Sequence, residues 1–137
     1  MELQQLLDKF QSGVLGVIAS TNDHDNPEAA LVGYAMTSNL EIIIETLKST
    51  RKYKNIVARP RVAIVLYLGD ESTVQYEGEA RVLDDSETDF RNTYFSKNPE
   101  GKKWEATGDE VFFIIQPKWI RYANYAKNPR EILEFNF

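Results

Sequence analysis

The spacing of apolar residues predicts a short N-terminal helix that leads into a β-hairpin. Four apolar positions recur at helical intervals of three and four residues, namely Leu3, Leu6, Leu7 and Phe10. We expect this helix to end near Gly13 and the apolar run 14–19 to form the first strand. The turn-forming residues 22–27 then lead into a second strand near 29–36.

A third strand and a second helix are predicted next. Residues 41–46 contain three consecutive isoleucines, which favour a strand with much of its surface buried. Ser49 or Thr50 can cap a helix that ends at Arg59-Pro60. The expected inner face of this helix carries Tyr53, Ile56 and Val57.

Two more strands are predicted at 62–68 and 73–83, with a turn between them. The second strand alternates between apolar and polar side chains. Its apolar side consists of Val74, Tyr76, Ala80 and Val82. Its polar side consists of Thr73, Gln75, Glu77, Glu79 and Arg81. We expect the polar side to face solvent or a ligand.

The last third of the chain predicts one more helix and a final pair of strands. Ser86 and Asp89 resemble a capping box in its acidic form. The inner face of the helix that they open carries Phe90 and Tyr94. The remaining segments are strands at 111–116 and 119–125, joined around Pro117-Lys118, and a tail at 127–137.

These elements together predict the fold class. Five or six strands arriving as hairpins, with three short helices between them, indicate a mainly β fold in which a small antiparallel sheet closes on itself. We expect residues 1–137 to form a single domain, since 137 residues that are 42% hydrophobic are enough to enclose one core.

Composition removes several classes of function. The chain has no cysteine and one histidine, His24, which excludes disulfide scaffolding, thiolate catalysis and Cys/His zinc sites. Met1 leads into an amphipathic segment and no apolar run reaches about 20 residues, so we expect a soluble, cytoplasmic protein without a signal peptide. A net charge of -5 argues against nonspecific nucleic-acid binding. His24 lies in a turn rich in Asp and Asn, where an exposed imidazole is commoner than a general base or a haem ligand.

One segment, residues 46–61, is basic although the chain as a whole is acidic. Positions 48–61 of this segment contain no acidic residue. They contain six of the sixteen basic residues: Lys48, Arg51, Lys52, Lys54, Arg59 and Arg61. Arg51 and Lys52 fall in the predicted first turn of a helix, where free N–H groups favour an anion. Neighbouring hydroxyl groups come from Thr46, Ser49 and Thr50. The segment fits two alternatives, a phosphate site and a solvated basic surface.

The order of several motifs resembles the pyridoxamine 5'-phosphate oxidase-like family. Residues 43–52 have the apolar strand, the threonine, the small hydroxyl residue and the Arg-Lys pair of that family's phosphate-binding stretch. Asn55 and Arg59-Pro60 follow in the same order. Three further segments resemble parts of the family, namely residues 16–20 with Pro27, residues 74–80 with their EGEA string, and residues 116–122.

The resemblance implies a split β-barrel that forms a homodimer and binds FMN in two equivalent clefts between the subunits. By position, Arg51 and Lys52 would pair with the FMN phosphate. Thr46 and Thr50 would supply hydroxyl contacts, with Ser49 as a secondary candidate. The residues implied to lie near the isoalloxazine ring are Ala30, Leu31 and Val32 beside it and Thr73 or Gln75 facing it.

The resemblance also implies a function. We expect an FMN-dependent oxidoreductase that moves electrons between a donor such as a nicotinamide and a small molecule, with no catalytic side chain and no metal. A non-catalytic flavin-binding protein, like short relatives linked to general stress, and a cofactor-free interaction module are the alternatives. Vitamin B6 oxidation is not expected, because Ala30 and Ala35 occupy the positions of two basic residues of the oxidases. The C-terminal region also lacks their arginine–histidine pair.

Some polar and aromatic residues receive a structural interpretation. Glu41 and Glu45 have strand spacing, which is typical of solvated carboxylates on a polar face. Trp104 and Trp119 are expected to be core or dimer-interface aromatics.

Overall fold

Antiparallel strands are the main regular structure in the computed structural model, which describes residues 3–137. The helices are α1 Leu3–Ser12, α2 Arg51–Ala58 and α3 Thr88–Lys97, with a 3-10 helix at Pro99–Thr107. The strands are β1 Leu15–Thr21, β2 Pro27–Gly33, β3 Ala35–Met36, β4 Ile42–Leu47, β5 Arg61–Tyr67, β6 Ser72–Val82, β7 Glu110–Asn124 and β8 Glu131–Asn136. The mainly β fold with short helices that the sequence predicts is confirmed.

The eight strands form one curled sheet that is split between β2 and β4. The strand order is β2-β1-β5-β6-β7-β4-β3, and β8 pairs with β7. The chain crosses the split at Tyr34, since Gly33 pairs with Leu15 of β1 whereas Ala35 pairs with Ile43 of β4. No ladder joins β2 to β4 within residues 3–137. The sheet is therefore a half-barrel, where the strand pattern alone predicted a closed one.

Two apolar clusters lie on opposite faces of this sheet. The main core fills its concave side, where α1 buries Leu6, Leu7 and Phe10 among strand residues. The second cluster lies on the other face of β4 and β7 under α3. Its aromatic members, in edge-to-face contact, are Tyr94, Phe95 and Phe112. Both faces of β4 are thereby covered, which explains the three buried isoleucines Ile42, Ile43 and Ile44.

The C-terminal strands differ from the sequence prediction. The two strands expected around Pro117 are one strand of 15 residues, and the expected tail contains β8, paired with β7 from Trp119 to Asn124. Proline cannot donate a ladder hydrogen bond, and the register shifts opposite it, between Glu77 and Gly78 of β6. A bulge, which leaves the strand continuous, therefore accommodates Pro117.

The inner face of α2 also differs from the prediction. Val57 is exposed, whereas Asn55 and Ile56 are buried. The Asn55 side chain donates hydrogen bonds to Ser20 at 3.1 Å and to Glu28 at 2.8 Å. These polar contacts rotate the helix so that an amide, in place of a valine, faces the first hairpin.

The start of α3 corrects a further prediction. The helix begins at Thr88, and its N-cap residue Glu87 makes no side-chain capping bond, so the proposed Ser86 capping box is wrong. Both Glu87 carboxylate oxygens instead accept hydrogen bonds from Arg81 at 2.7 Å. Val82, expected on the apolar side of β6, is exposed next to this ion pair. No helix in the described part of the chain is long and apolar enough to span a membrane.

Tyr76 joins two parts of the half-barrel through its hydroxyl group. The side chain is fully buried, and its hydroxyl lies 2.7 Å from the Leu40 carbonyl oxygen and 3.0 Å from that of Ile115. Leu40 has a φ of 65°, a left-handed conformation that is uncommon for leucine. The hydroxyl thus fixes the strained turn before β4 to the neighbouring strand β7.

We predict that Tyr76→Phe lowers the free energy of unfolding by about 1–3 kcal/mol, because two buried carbonyl oxygens lose their donor. Chemical denaturation followed by circular dichroism measures the change. Tyr125→Phe is the matched control, since Tyr125 is exposed, and it should change stability by less than about 0.5 kcal/mol. Equal stability of the two variants would contradict this role of the hydroxyl.

Candidate functional site

The split between β2 and β4 opens into a cavity of about 280 Å³. Leu31, Val32 and Gly33 line it from β2, and Glu45, Thr46 and Leu47 line it from β4. Thr50 and Lys52 enter from the start of α2, while Tyr94 and Trp104 enter from α3 and the 3-10 helix. Apolar groups, hydroxyls and one cation therefore meet where the sheet is unpaired.

The start of α2 brings two hydroxyl groups to this cavity. Thr50 is the N-cap residue, and its hydroxyl oxygen accepts a hydrogen bond from the N–H of Tyr53. It also donates to the Leu47 carbonyl oxygen at 2.8 Å and lies 3.0 Å from the Thr46 hydroxyl. The first N–H groups of a helix have no intrahelical acceptor, so this end attracts anions. The hydroxyl hydrogen of Thr50 is directed at Leu47 and that of Thr46 at Thr50, so the first N–H groups of α2 are the donors left for an anion.

Lys52 is the cation best placed to hold an anion in this cavity. Its side chain is half-buried and has no hydrogen-bond or ion-pair partner within residues 3–137. Burial lowers the pKa of Lys52, because a desolvated ammonium is less stable than a hydrated one. An anion at this position would restore the missing interaction.

Arg51 occupies a different environment from Lys52. Its side chain is 76% exposed and lies 3.2 Å from the Glu28 carboxylate. Glu28 also accepts hydrogen bonds from Asn55 at 2.8 Å and from Asn22 at 3.2 Å. These two hydrogen bonds, and then the Arg51 charge, lower the pKa of Glu28. Arg51 is therefore tethered at the rim by a carboxylate on β2.

The other residues named from the sequence lie at different distances from the cavity. Ala30 and Arg51 line an adjoining cavity of about 180 Å³, which Thr50 and Lys52 also line. Ser49 is exposed outside both cavities, and its backbone N–H donates to Asp109 at 3.3 Å. Gln75 lies on the exposed outer face of β6, opposite Val65 of β5, and lines neither cavity.

Five residues on the cavity wall were not identified as site residues from the sequence: Gly33 and Leu47, which adjoin predicted site residues, and Glu45, Tyr94 and Trp104. Glu45 was interpreted as solvated, but its Oε2 atom is buried. Tyr94 and Trp104 reach the cavity because α3 and the 3-10 helix pack over β4. These contacts join residues about fifty positions apart, so no local pattern could have revealed them. The alternation of side chains along β4 directs Glu45 to the face opposite that of Thr46. This alternation was the one signal in the sequence that bears on the position of Glu45.

His24 lies apart from every cavity wall described above. It is in the turn between β1 and β2, its side chain is 80% exposed, and its Nε2 atom is 3.8 Å from an Asp23 oxygen. The exposed-turn interpretation of His24 is confirmed. The geometry gives it no role as a haem ligand in the cavity.

Several solved structures share the fold of this chain. A heme-binding protein from Mycobacterium smegmatis has a TM-score of 0.83 at 14% identity, and the alignment covers 99% of this chain and 59% of that one. General Stress Protein 26 from Bacillus anthracis has a TM-score of 0.73 at 23% identity, with 96% and 99% covered. A pyridoxamine 5'-phosphate oxidase-related, FMN-binding protein from Nostoc punctiforme has a TM-score of 0.69 at 12% identity, with 97% and 84% covered.

These likenesses establish the fold, which is the split-barrel fold that the sequence resemblance implied. The chain spans less than two thirds of the Mycobacterium smegmatis protein. No curated protein matches the sequence. The family model for pyridoxamine 5'-phosphate oxidase matches residues 2–124, nearly the whole chain. This protein therefore belongs to the pyridoxamine 5'-phosphate oxidase family.

Proposed function

We propose that the protein binds FMN in the split between β2 and β4 and acts as a flavin-dependent oxidoreductase on a small molecule. The observation that carries the proposal is Lys52, a half-buried ammonium without a partner in residues 3–137, beside the free N–H groups of α2. The FMN-binding relative from Nostoc punctiforme supports the choice of ligand.

The residues around the cavity fit a phosphate attached to an apolar ring system. Lys52 and the first N–H groups of α2 would hold the phosphate, beside the hydroxyls of Thr46 and Thr50. Leu31 and Val32 offer an apolar wall to the ring, and Trp104 offers an aromatic edge. The bound flavin would supply the redox chemistry, while the protein would orient it and limit access of water.

Vitamin B6 oxidation is not part of this proposal. Ala30 lines the smaller cavity without a charge to offer, and Ala35 is buried in β3 within the apolar cluster under α3. Neither residue can bind a second phosphate. The substrate we propose is therefore a small molecule that does not depend on phosphate recognition at these two positions.

We also propose that the protein is a homodimer whose subunits join through the outer face of β2, β1 and β5. The exposed apolar residues on this face are Leu15, Val17, Leu31, Val65 and Tyr67. They are neighbours through the strand pairing, since Val17 lies opposite both Leu31 and Val65. An apolar patch of this kind is typical of a protein–protein interface. Gln75, beside Val65, would then lie at the interface and near the partner's ligand.

We predict that Lys52→Ala weakens FMN binding by about tenfold to a hundredfold, because one charge-assisted hydrogen bond is lost. Quenching of flavin fluorescence on titration of the apoprotein measures the dissociation constant. Lys54→Ala on the exposed side of α2 is the matched control and should leave it nearly unchanged. Arg51→Ala should weaken binding less than Lys52→Ala, since Arg51 already binds Glu28.

Failure of the wild-type protein to bind FMN or FAD would contradict the proposed function. Binding that is equally strong in the Lys52 and Lys54 variants would contradict the phosphate site. Repeated reduction of the bound flavin by NADPH or NADH and reoxidation by a small acceptor supports an oxidoreductase. One slow reduction without turnover supports the carrier that the sequence left as an alternative.

We predict that Val65→Glu converts the homodimer to a monomer, because an ionised carboxylate would be buried in an apolar interface without a partner. Sedimentation equilibrium measures the mass. Val82→Glu is the control, since Val82 is similarly exposed near the end of β6 but lies outside the apolar face. A wild-type protein that is monomeric at all concentrations, or a Val65→Glu variant that remains dimeric, would contradict this interface.

A further inference from the structure

Two glutamates meet beside the cavity in the split. Glu45 lines the cavity from β4, on the face of that strand that α3 covers. Glu110 begins β7, the strand paired with β4, and its side chain is only 7% exposed. Two carboxyl groups are thus held together in a region from which water is largely excluded.

The charges around these two carboxyl groups do not balance. Arg91 of α3 forms an ion pair with Glu110, with its Nη1 atom 3.2 Å from Glu110 Oε1, whereas Glu45 has no ion-pair partner within residues 3–137. The same guanidinium also lies 3.5 Å from Asp85, so its charge is shared. Two ionised glutamates beside one shared arginine would leave an uncompensated negative charge in a buried place, which is costly.

The unpaired atoms indicate how this imbalance is resolved. Glu45 Oε2 and Glu110 Oε2 are both buried, and neither has a hydrogen-bond partner among the described residues. Ionised carboxylates can only accept hydrogen bonds, so two of them cannot satisfy each other. One proton on Glu45 would make a hydrogen bond with Glu110 and remove both the excess charge and the unpaired oxygens.

The groups packed around Glu45 favour its protonated form. Burial raises the pKa of Glu45, and the adjacent Glu110 and the exposed Glu105 raise it further, while Arg91 opposes them. The charged and titratable groups that face it come from β7, α3, the 3-10 helix and the cavity: Glu110, Arg91, Tyr94, Glu105 and Lys52. Two carboxylates and two cations therefore face this carboxyl group, and burial is the main cause that favours its protonated form.

We propose that Glu45 and Glu110 share one proton, and that this proton adapts the cavity to an anionic, phosphate-bearing ligand. With the proton in place, the carboxyl pair and Arg91 sum to zero charge. Without it, they carry one negative charge on the wall of the cavity that contains Lys52. The second part of the proposal rests on the function proposed above, whereas the shared proton does not.

The direction of the pH effect follows from the raised pKa of Glu45. Below that pKa the proton is held and the anion meets a neutral wall. As the pH rises through it, Glu45 ionises and repels the ligand. We expect FMN affinity to fall about tenfold from this cause, the scale of one unit charge acting across about 12 Å at an effective dielectric constant of about 20.

A ligand-free experiment tests the shared proton first. Infrared titration of the apoprotein should show a carboxylic-acid carbonyl band at about pH 7, where ordinary glutamates are ionised. Glu45→Gln should remove the band, and Glu105→Gln, which removes an exposed charge next to the pair, should keep it. Glu110→Gln should move the loss of the band to lower pH. A wild-type protein without the band at about pH 7 would overturn the proposal.

A ligand titration then tests the effect on the cavity. The FMN dissociation constant is measured from about pH 6 to about pH 10 for the wild type, Glu45→Gln and Glu105→Gln. The ligand's own ionisation is common to all three proteins. The ratio of the wild-type dissociation constant to that of Glu45→Gln should rise about tenfold from neutral pH to the alkaline end, because glutamine mimics the protonated acid.

The possible failures are distinguishable. Identical pH profiles for the wild type and Glu45→Gln would overturn the link between the proton and the ligand. Absence of FMN binding by the wild type at every pH would overturn the proposed function instead, and the infrared band would still decide whether the proton is shared.

Discussion

The hydrogen-bond ladder that joins β1 to β2 has no counterpart between β2 and β4, and the candidate site depends on this interruption. The interruption is fixed at Tyr34, whose N–H donates to Val14 while its carbonyl oxygen accepts from Asn98 at 3.2 Å. Asn98 is buried at the end of α3. The helix that covers β4 therefore also holds Tyr34, the residue at which the chain crosses from β2 to β3. If β2 continued onto β4, backbone pairing would fill the space where the cavity lies.

Local patterns predicted most of the elements because hairpins bring neighbours in sequence together. The failures occur where distant contacts decide the outcome. Pro117 was predicted to end a strand, yet the register shift opposite Glu77 and Gly78 of β6 keeps β7 continuous. The segment after Lys127 has no pattern of its own, and β8 forms because the edge of β7 is available to pair. The split itself could not be derived from the strand pattern, which is compatible with a closed sheet.

The candidate site divides in the same way. Thr46, Thr50 and Lys52 were found from the sequence because they lie within seven positions of one strand–helix junction. The choice between Ser49 and Thr50 as the cap needed the structure, since both residues can cap a helix and only Thr50 does. Glu45 was misread as solvated because its burial is caused by α3, some fifty residues later in the chain. Sequence located the side of the cavity at the strand–helix junction, and tertiary packing created the side opposite it.

The two basic residues at the start of α2 are consequently unequal, although the sequence treats them as a pair. Arg51 is held at the rim by Glu28, and Glu28 is fixed by two asparagine amides, so an incoming anion must compete with a well-ordered carboxylate for Arg51. Lys52 has no carboxylate partner within residues 3–137, and its ammonium group is partly desolvated by burial. A weakly charged ligand would therefore engage Lys52 alone, whereas a dianion such as a phosphate monoester has enough charge to draw Arg51 inward as well. If the proposed site binds anions, this arrangement would favour a phosphate over a singly charged anion, because only the larger charge would engage both Arg51 and Lys52.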